Sequence, residues 1–136
     1  MNGRCLLRYL WAAPVTIPAA TLALLAHLTG SALMLRAGVL EASGGGLGWV
    51  LRRIYPPMSI AAITLGHVVL AQTPGDLETS RDHERVHVRQ YERWGALFPA
   101  LYLLAGLAAL VRGAHPYHDN RFEVEARLLA PIPDQA

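Results

Sequence analysis

The sequence contains no lysine, and its one cysteine, Cys5, lies close to the N-terminus. All twelve cationic residues are therefore arginines, and they are scattered along a chain with a formal net charge of only +2. Because a lone cysteine cannot form an intrachain disulfide, the fold has to be stabilised by packing, by a metal or by lipid. The small and dispersed positive charge does not predict a nucleic-acid-binding surface.

Long hydrophobic segments are what the sequence has in excess. Hydrophobic residues make up 53% of the 136 residues, a high share for a small soluble protein, and this indicates a membrane protein. The uncharged stretch 9–35 has arginines on both sides and exceeds the about 20 apolar residues that cross a bilayer. We expect a retained transmembrane helix there, because the apolar core of a cleaved signal peptide is only about 7–15 residues long.

A glycine run divides the predicted domains. Residues 42–48 (ASGGGLG) are expected to be flexible, since glycine runs favour neither helix nor strand. We therefore predict a membrane anchor in residues 1–41, a linker in 42–57 and a second domain in 58–136. The apolar stretch 59–72 is rich in β-branched residues and predicts extended structure or a hairpin bent near Gly66. A short buried helix is the alternative for this stretch.

The rest of the chain predicts helices. Thr79 or Ser80 can cap a polar helix that runs to about Arg93, after a turn in residues 73–76. Residues 96–111 predict an apolar helix, and residues 122–129 predict a last helix that ends before a proline. The fold class is therefore predicted to be mostly α, with a short extended segment before the polar helix.

The polar helix carries a metal-binding motif, His83-Glu84-Arg85-Val86-His87. Histidines four residues apart stand on one helix face, about 6 Å apart along the axis, so both can reach one zinc ion at about 2.0–2.1 Å. Glu84 is turned roughly 100° around the helix. We expect it to take a proton from water that the metal activates, without binding the metal itself. Arg85 is unusual in the middle of such a motif, and we expect it to face lipid headgroups or solvent.

A catalytic zinc ion requires a third protein ligand and one open position. We favour Glu123, because a glutamate at the start of a second helix packed on the first can complete a tetrahedral site. Tyr117 or His118 is expected to donate a hydrogen bond to an oxyanion that develops during hydrolysis, although a turn with internal hydrogen bonds is the alternative. The candidates for the third ligand are His115, His118, Asp119, Glu123 and Glu125.

These residues resemble the gluzincin clan of zinc peptidases, whose third ligand is a glutamate downstream of the HExxH motif. In membrane-bound and minimal members that glutamate often opens an E-x-x-A-D pattern, which Glu123 and Ala126 match, whereas Arg127 replaces the aspartate. The resemblance covers residues 83–127 and implies a zincin-like helical domain and a peptide or protein substrate. It also implies a zinc site with these roles: histidine ligands His83 and His87, base Glu84, and third ligand Glu123.

A shared metal constrains the apolar helix 96–111. If it crossed the bilayer, His87 and Glu123 would lie on opposite sides, so we expect both of its ends on one side. The predicted function is an integral membrane zinc peptidase with peptide substrates and lipid as partners. The alternatives are a non-catalytic membrane protein with a structural zinc site, for instance one closed by His118, or an accidental HExxH match.

Overall fold

The computed structural model describes residues 3–54 and 61–133. These residues form helices and one small sheet, which confirms the mostly helical prediction. A 3-10 turn, Gly95–Leu97, joins the third and fourth α-helices. The elements in chain order are α1 (Gly3–His27), β1 (Ala32–Arg36), β2 (Val39–Ser43), α2 (Gly45–Ile54), β3 (Ala62–Leu65), β4 (Val68–Ala71), α3 (Pro74–Trp94), α4 (Phe98–Val111) and α5 (Arg121–Leu129).

The four strands form one mixed sheet in the order β1-β2-β4-β3. Two antiparallel hairpins, β1–β2 and β3–β4, are joined by the parallel pair β2–β4. The hairpin predicted within residues 59–72 is confirmed from Ala62 onward, with Ile63 opposite Leu70, while residues 59–60 lie outside the described residues. The β1–β2 hairpin was not predicted, because most of β1 lies at the end of the apolar stretch 9–35 and β2 runs into the glycine run that was predicted to be flexible.

The alternation of side chains along the strands places the two sheet faces against different helices. Val68 and Leu70 pack against α1 and α2, whereas Val69 and Ala71 pack against α3. The sheet is therefore the middle of three layers. A third cluster joins α1 to α3, α4 and α5 through Ala12, Tyr91, Phe98 and Phe122.

The predicted span 9–35 is not one helix. α1 ends at His27, because Gly30 takes the left-handed conformation (φ 86°) and the Ser31 N–H bonds back to the Ala26 carbonyl. The chain then enters β1, which pairs with β2. The prediction of a single helix over this stretch is wrong, although Gly3–His27 alone is long and apolar enough to cross a bilayer.

The glycine run 42–48, predicted to be flexible, contains the end of β2 and the start of α2. Its glycines permit close backbone contacts: a Cβ on Gly45 would lie 2.4 Å from the Ser31 nitrogen, and one on Gly48 would lie 2.2 Å from the Gln72 carbonyl oxygen. The flexible-break prediction is therefore wrong, since these glycines serve packing. β2 begins before this run and pairs with β4 beyond it, while residues 55–57 of the predicted linker lie outside the described residues.

α3 begins at Pro74, ahead of the predicted caps Thr79 and Ser80. Thr73 is the N-cap, and its Oγ1 accepts a hydrogen bond from the Asp76 N–H at 3.0 Å. A proline in the first turn lacks only an N–H that would have no partner within the helix. The segment predicted as a turn is therefore the start of the helix that carries His83 and His87, which ends at Trp94, close to the predicted end.

After α4 the chain turns back along that helix. The Asn120 side-chain amide donates to the Tyr102 carbonyl at 3.0 Å, and a Cβ on Gly106 would lie 2.9 Å from the Pro116 carbonyl oxygen. Asn120 also caps α5 by accepting from the Phe122 N–H. α5 therefore begins beside the middle of α4, so that α4 does not separate α3 from α5.

Candidate metal centre

Three side chains from α3 and α5 converge on one point. The Nε2 atoms of His83 and His87 lie 3.3 Å apart. The Glu123 carboxylate oxygens lie 3.2 Å from the His83 Nε2 and 3.3 Å from the His87 Nε2. Ligands bound tetrahedrally at about 2.0–2.1 Å are about 3.3–3.4 Å from one another. The two nitrogens and the two carboxylate oxygens therefore surround one point, and one ligand atom from each residue lies within 4.8 Å of the others, close enough to share one metal ion.

The helices fix this arrangement. His83 and His87 lie on the face of α3 that turns inward, and Glu123 lies in the first turn of α5. All three are buried, with exposed fractions of 3%, 7% and 3%. The structure thus brings together the three residues that the sequence nominated as ligands, and they form a buried group that could bind a metal ion.

The charges of the site favour a cation. Burial opposes ionisation of Glu123, but hydrogen bonds with His83 and His87 hold the pKa of this carboxyl well below its usual range. Burial also lowers the pKa of His87, yet its hydrogen bond to Glu123 and the charges of Glu84 and Glu123 outweigh this effect and raise the pKa to about 9. A metal ion at the shared point would take the place of the proton that His87 otherwise holds.

Gln90 orients His87 by a hydrogen bond to its ring. Its amide nitrogen donates to the Phe122 carbonyl at 3.1 Å and to the Glu125 carboxylate at 2.8 Å. These two acceptors fix the amide so that its oxygen faces the His87 Nδ1 at 2.8 Å. An acceptor there places the proton on Nδ1, which leaves the Nε2 lone pair free for a metal. This is the tautomer that metal binding requires.

Glu84 lies beside the ligand group and is held by the sheet. The Thr64 hydroxyl donates to the Glu84 Oε2 at 2.6 Å. Burial raises the pKa of Glu84, although the neighbouring His87 and the Thr64 hydrogen bond oppose that rise. A buried carboxyl with a raised pKa has the proton affinity that a general base needs.

A cavity of about 420 Å³ opens on the ligand group. Tyr102 lies in its wall, and its hydroxyl donates to Glu123 at 2.6 Å. Burial, together with the Glu123 charge, raises the pKa of Tyr102, so the hydroxyl stays protonated and remains a donor. Apart from Glu84, His87 and Glu123, the wall is formed by Ala62, Ile63, Thr64, Leu65, Tyr91, Phe98, Pro99, Tyr102, Leu103, Pro116 and Tyr117.

The two oxyanion candidates occupy different positions. Tyr117 lines the cavity, and burial followed by the Glu123 charge raises its pKa. His118 is exposed on the turn before α5 and is not part of the cavity wall. The His115 Nδ1 accepts from the N–H groups of Tyr117 and His118 at 3.1 Å. Only Tyr117 therefore faces the site, and the histidines form the hydrogen-bonded turn that was the alternative interpretation.

The other candidate ligands lie apart from the ligand group. Asp119 accepts from the His115 N–H at 2.7 Å, within the same turn. Glu125 hydrogen-bonds Gln90 and so supports the orientation of His87. Arg127 donates to the His118 carbonyl.

Arg85 does not face headgroups or solvent as expected. Its guanidinium donates to the Glu41 carboxylate at 2.8 Å and to the Arg36 carbonyl at 2.7 Å. Arg81 adds a second ion pair to the same carboxylate at 3.2 Å. Glu41 is fully buried on β2, so the two arginines neutralise a buried charge and attach α3 to the sheet. The prediction failed because the β1–β2 hairpin, which carries these acceptors, was not foreseen.

Comparison of the chain with protein-family models, with curated proteins and with solved structures gives no match. The interpretation of the site therefore depends on its own geometry and chemistry. Sequence reasoning missed Thr64 and Tyr102, which contact the acid groups of the site. The sequence offered one signal for each of them, because both are polar residues in apolar segments, Thr64 in 59–72 and Tyr102 in 96–111.

Proposed function

We propose that this protein is a membrane-associated zinc peptidase of the HExxH type. The observation that supports the proposal is the convergence of the ligand atoms of His83, His87 and Glu123 within 4.8 Å of one another, with Glu84 beside them. Two imidazoles and one carboxylate are the ligand set of many zinc hydrolases. The cavity next to the group leaves room for water and substrate, as an open coordination position requires.

The residues of the cavity wall would have separate roles in the proposed hydrolysis. Bound zinc would supply Lewis acidity toward water and the peptide carbonyl. Glu84 takes a proton from the attacking water, whose oxygen bonds to the carbonyl carbon. As the carbon–nitrogen bond breaks, Glu84 passes that proton to the leaving amine. Tyr117, which lines the cavity, would donate a hydrogen bond to the oxyanion, and the Tyr102 hydroxyl donates to Glu123.

Strand β3 supports a peptide as the substrate. It is an edge strand of the sheet, and all four of its residues line the cavity. The outer edge of such a strand can pair with an extended peptide through main-chain hydrogen bonds. A peptide added there would pass Thr64 and reach the reacting groups beside Glu84. The apolar wall around it favours substrates with apolar side chains near the scissile bond.

Membrane association is the second part of the proposal. Two helical stretches, Gly3–His27 and Pro74–Val111, are long and apolar enough to cross a bilayer by length and composition, and only 22% of each apolar window is buried. The core of a soluble protein would bury much more of such a segment. α4 contributes the apolar part of the second stretch and exposes Leu103, Leu107 and Val111.

A structural zinc site is the competing function. It would be closed by a fourth protein ligand, and His118 was the residue nominated for that role. His118 is exposed and lies outside the cavity wall, whereas the fourth side of the ligand group faces the cavity. This geometry favours a site that is open to substrate.

The proposal is tested by a Glu84→Gln substitution, assayed for cleavage of a peptide library by mass spectrometry. The amide is nearly isosteric but takes no proton from water, so activity should fall by about 10²–10⁴-fold. Zinc content should not change, because Glu84 is not a ligand. Glu78→Gln is the matched control, since Glu78 lies on the same helix with its side chain 82% exposed.

Two outcomes would contradict the proposal. If the Glu84→Gln protein cleaved peptides at the rate of the wild type, Glu84 would not be the general base. A wild-type protein that contains zinc but cleaves no peptide in the library would support the structural site instead.

A further inference from the structure

The outer surface of the α1–α2 layer is apolar over the whole length of α1. Leu10, Ile17 and Leu24 recur every seven residues and are 60%, 64% and 56% exposed. On α2, Trp49 is 53% exposed and Ile54 is 59% exposed. Exposed apolar residues that form a continuous stripe mark a surface that binds a partner or a membrane.

The charge of this layer has one sign. Among the first 75 residues the only acidic residue is Glu41, which is buried on the opposite face of the sheet beneath α3. Four arginines of α1 and α2 are exposed, and the Arg53 guanidinium lies 4.3 Å from the Trp49 ring centre. The exposed residues are Arg4, Arg8, Arg52 and Arg53.

Anionic lipid complements this surface better than a second copy of the chain does. Arg8 already pairs with Glu92. Two such layers facing each other would still bring Arg4, Arg52 and Arg53 of both copies together, and the helices α1 and α2 contain no carboxylate to pair with them. A bilayer containing anionic headgroups offers hydrocarbon for the leucines and negative charge for the arginines. Tryptophan beside arginine is also typical of the boundary between lipid and water.

The packing of α1 favours an orientation parallel to the membrane. Tyr9 hydrogen-bonds the Gly38 carbonyl, Thr16 accepts from the His67 N–H, and alanines further along α1 pack on the sheet. One whole side of α1 is thus attached to the protein. Near its start, Arg8 contacts Glu92 close to the end of α3. A perpendicular α1 would therefore carry the sheet and the charged helix α3 into hydrocarbon, at a high cost in free energy.

We propose that the outer surface of α1 and α2 lies flat on an anionic membrane, with α1 in the interface and not across the bilayer. This orientation deepens the membrane part of the proposed function and does not depend on zinc or on peptide cleavage. The active-site layer, with α3 and its ion pairs, then stays on the aqueous side of the sheet.

The first experiment measures binding of the full chain to vesicles by flotation. Vesicles that contain phosphatidylglycerol should bind more tightly than vesicles of phosphatidylcholine alone, and added salt should weaken the difference. Arg52→Gln with Arg53→Gln should weaken binding about 30-fold, since each arginine near the surface contributes about fivefold. Arg89→Gln with Arg121→Gln removes the same charge from exposed positions outside this layer and should have little effect.

The second experiment tests whether α1 lies in the membrane interface or crosses the bilayer. In a Cys5→Ser background, Gly3→Cys and Leu28→Cys place a thiol at each end of α1, where Leu28 is 80% exposed. A membrane-impermeant maleimide should label both positions from the same side of sealed vesicles. Labelling from opposite sides would show that α1 crosses, which overturns the orientation but keeps membrane association.

Two further results would contradict the proposal that this surface binds an anionic membrane. Equal binding to vesicles with phosphatidylglycerol and to vesicles of phosphatidylcholine alone would show that the arginines do not contribute to binding. Absence of vesicle binding, with a dimer in analytical ultracentrifugation, would assign the apolar stripe to a second copy. Neither result would affect zinc content or peptide cleavage, so they can be separated from failure of the peptidase proposal.

Discussion

The two faces of the sheet differ in chemistry although they share the same four strands. The face against α1 and α2 is covered by alanine, leucine and valine. The face against α3 includes apolar residues too, but it also buries Thr64 and Glu41. Each of these has a partner on α3, namely Glu84 for Thr64 and two arginines for Glu41.

This difference shows how a short chain can combine an apolar layer, proposed to bind lipid, with a polar site. Each strand alternates its side chains between the faces, so one segment supplies apolar packing toward α1 and polar contacts toward α3 at once. On β3, Ile63 and Leu65 pack toward α1, while Thr64 contacts Glu84 on α3. Substitutions on the α3 side should therefore affect metal and chemistry, whereas those on the α1 side should affect membrane binding.

The largest effect is expected from removing a metal ligand on the α3 side. His87→Ala leaves two ligands, which hold zinc poorly, so zinc content should fall from about one ion per chain to nearly none. Metal analysis of the purified protein measures this directly. His115→Ala is the control, because His115 is exposed on the turn before α5 and should keep its zinc. Equal zinc in both variants would show that the ion binds elsewhere.

The next effect concerns stability. Arg81→Ala with Arg85→Ala leaves the Glu41 carboxylate buried without its two partners, which should cost about 3–5 kcal/mol in the free energy of unfolding. Arg89→Ala with Arg93→Ala removes the same charge from exposed positions of the same helix and should cost about 0.5 kcal/mol or less per site. Denaturant titration compares the two pairs. A difference below about 1 kcal/mol would mean that the ion pairs contribute little net stability.

The fold was predictable where a local pattern determined it. The β3–β4 hairpin, α4 and α5 followed from β-branched residues, apolar runs and proline stops. The β1–β2 hairpin did not, because β1 is the end of an uncharged stretch long enough to predict a membrane helix, and β2 leads into a glycine run. The glycines at 44–48 were also misread, since their close contacts with Ser31 and Gln72 come from residues distant in sequence.

The candidate site was more predictable than the fold that holds it. The spacing of His83, Glu84 and His87 is enough to predict two metal ligands with a base beside them. Glu123 was predicted from its place on the next polar helix. Thr64, Gln90 and Tyr102 could not be assigned, because their roles depend on the distance between elements. His118 was nominated for its proximity in sequence to Glu123, but the turn directs it outward.

A smaller effect is expected from Gln90, which supports a ligand without binding the metal. Gln90→Ala removes the acceptor on the His87 Nδ1, and loss of such support typically lowers metal affinity by about 10–100-fold. Competition with a zinc-binding dye measures the affinity. Gln90→Glu keeps an acceptor toward His87 but places a carboxylate against Glu125. Combining it with Glu125→Gln should therefore recover affinity, and no recovery would contradict the proposed orientation of His87.

The smallest effect is expected from Thr64, through which the sheet contacts the proposed base, Glu84. Thr64→Val removes the hydroxyl that donates to Glu84 while keeping the shape of the side chain. Peptide cleavage should fall about tenfold, the low end for a lost hydrogen bond to a charged group, and zinc content should stay the same. Thr64→Ser should restore activity. Thr21→Val is the control on the lipid side, since Thr21 is exposed and bonds only within α1. Equal activities for Thr64→Val and Thr21→Val would show that Glu84 does not depend on the sheet.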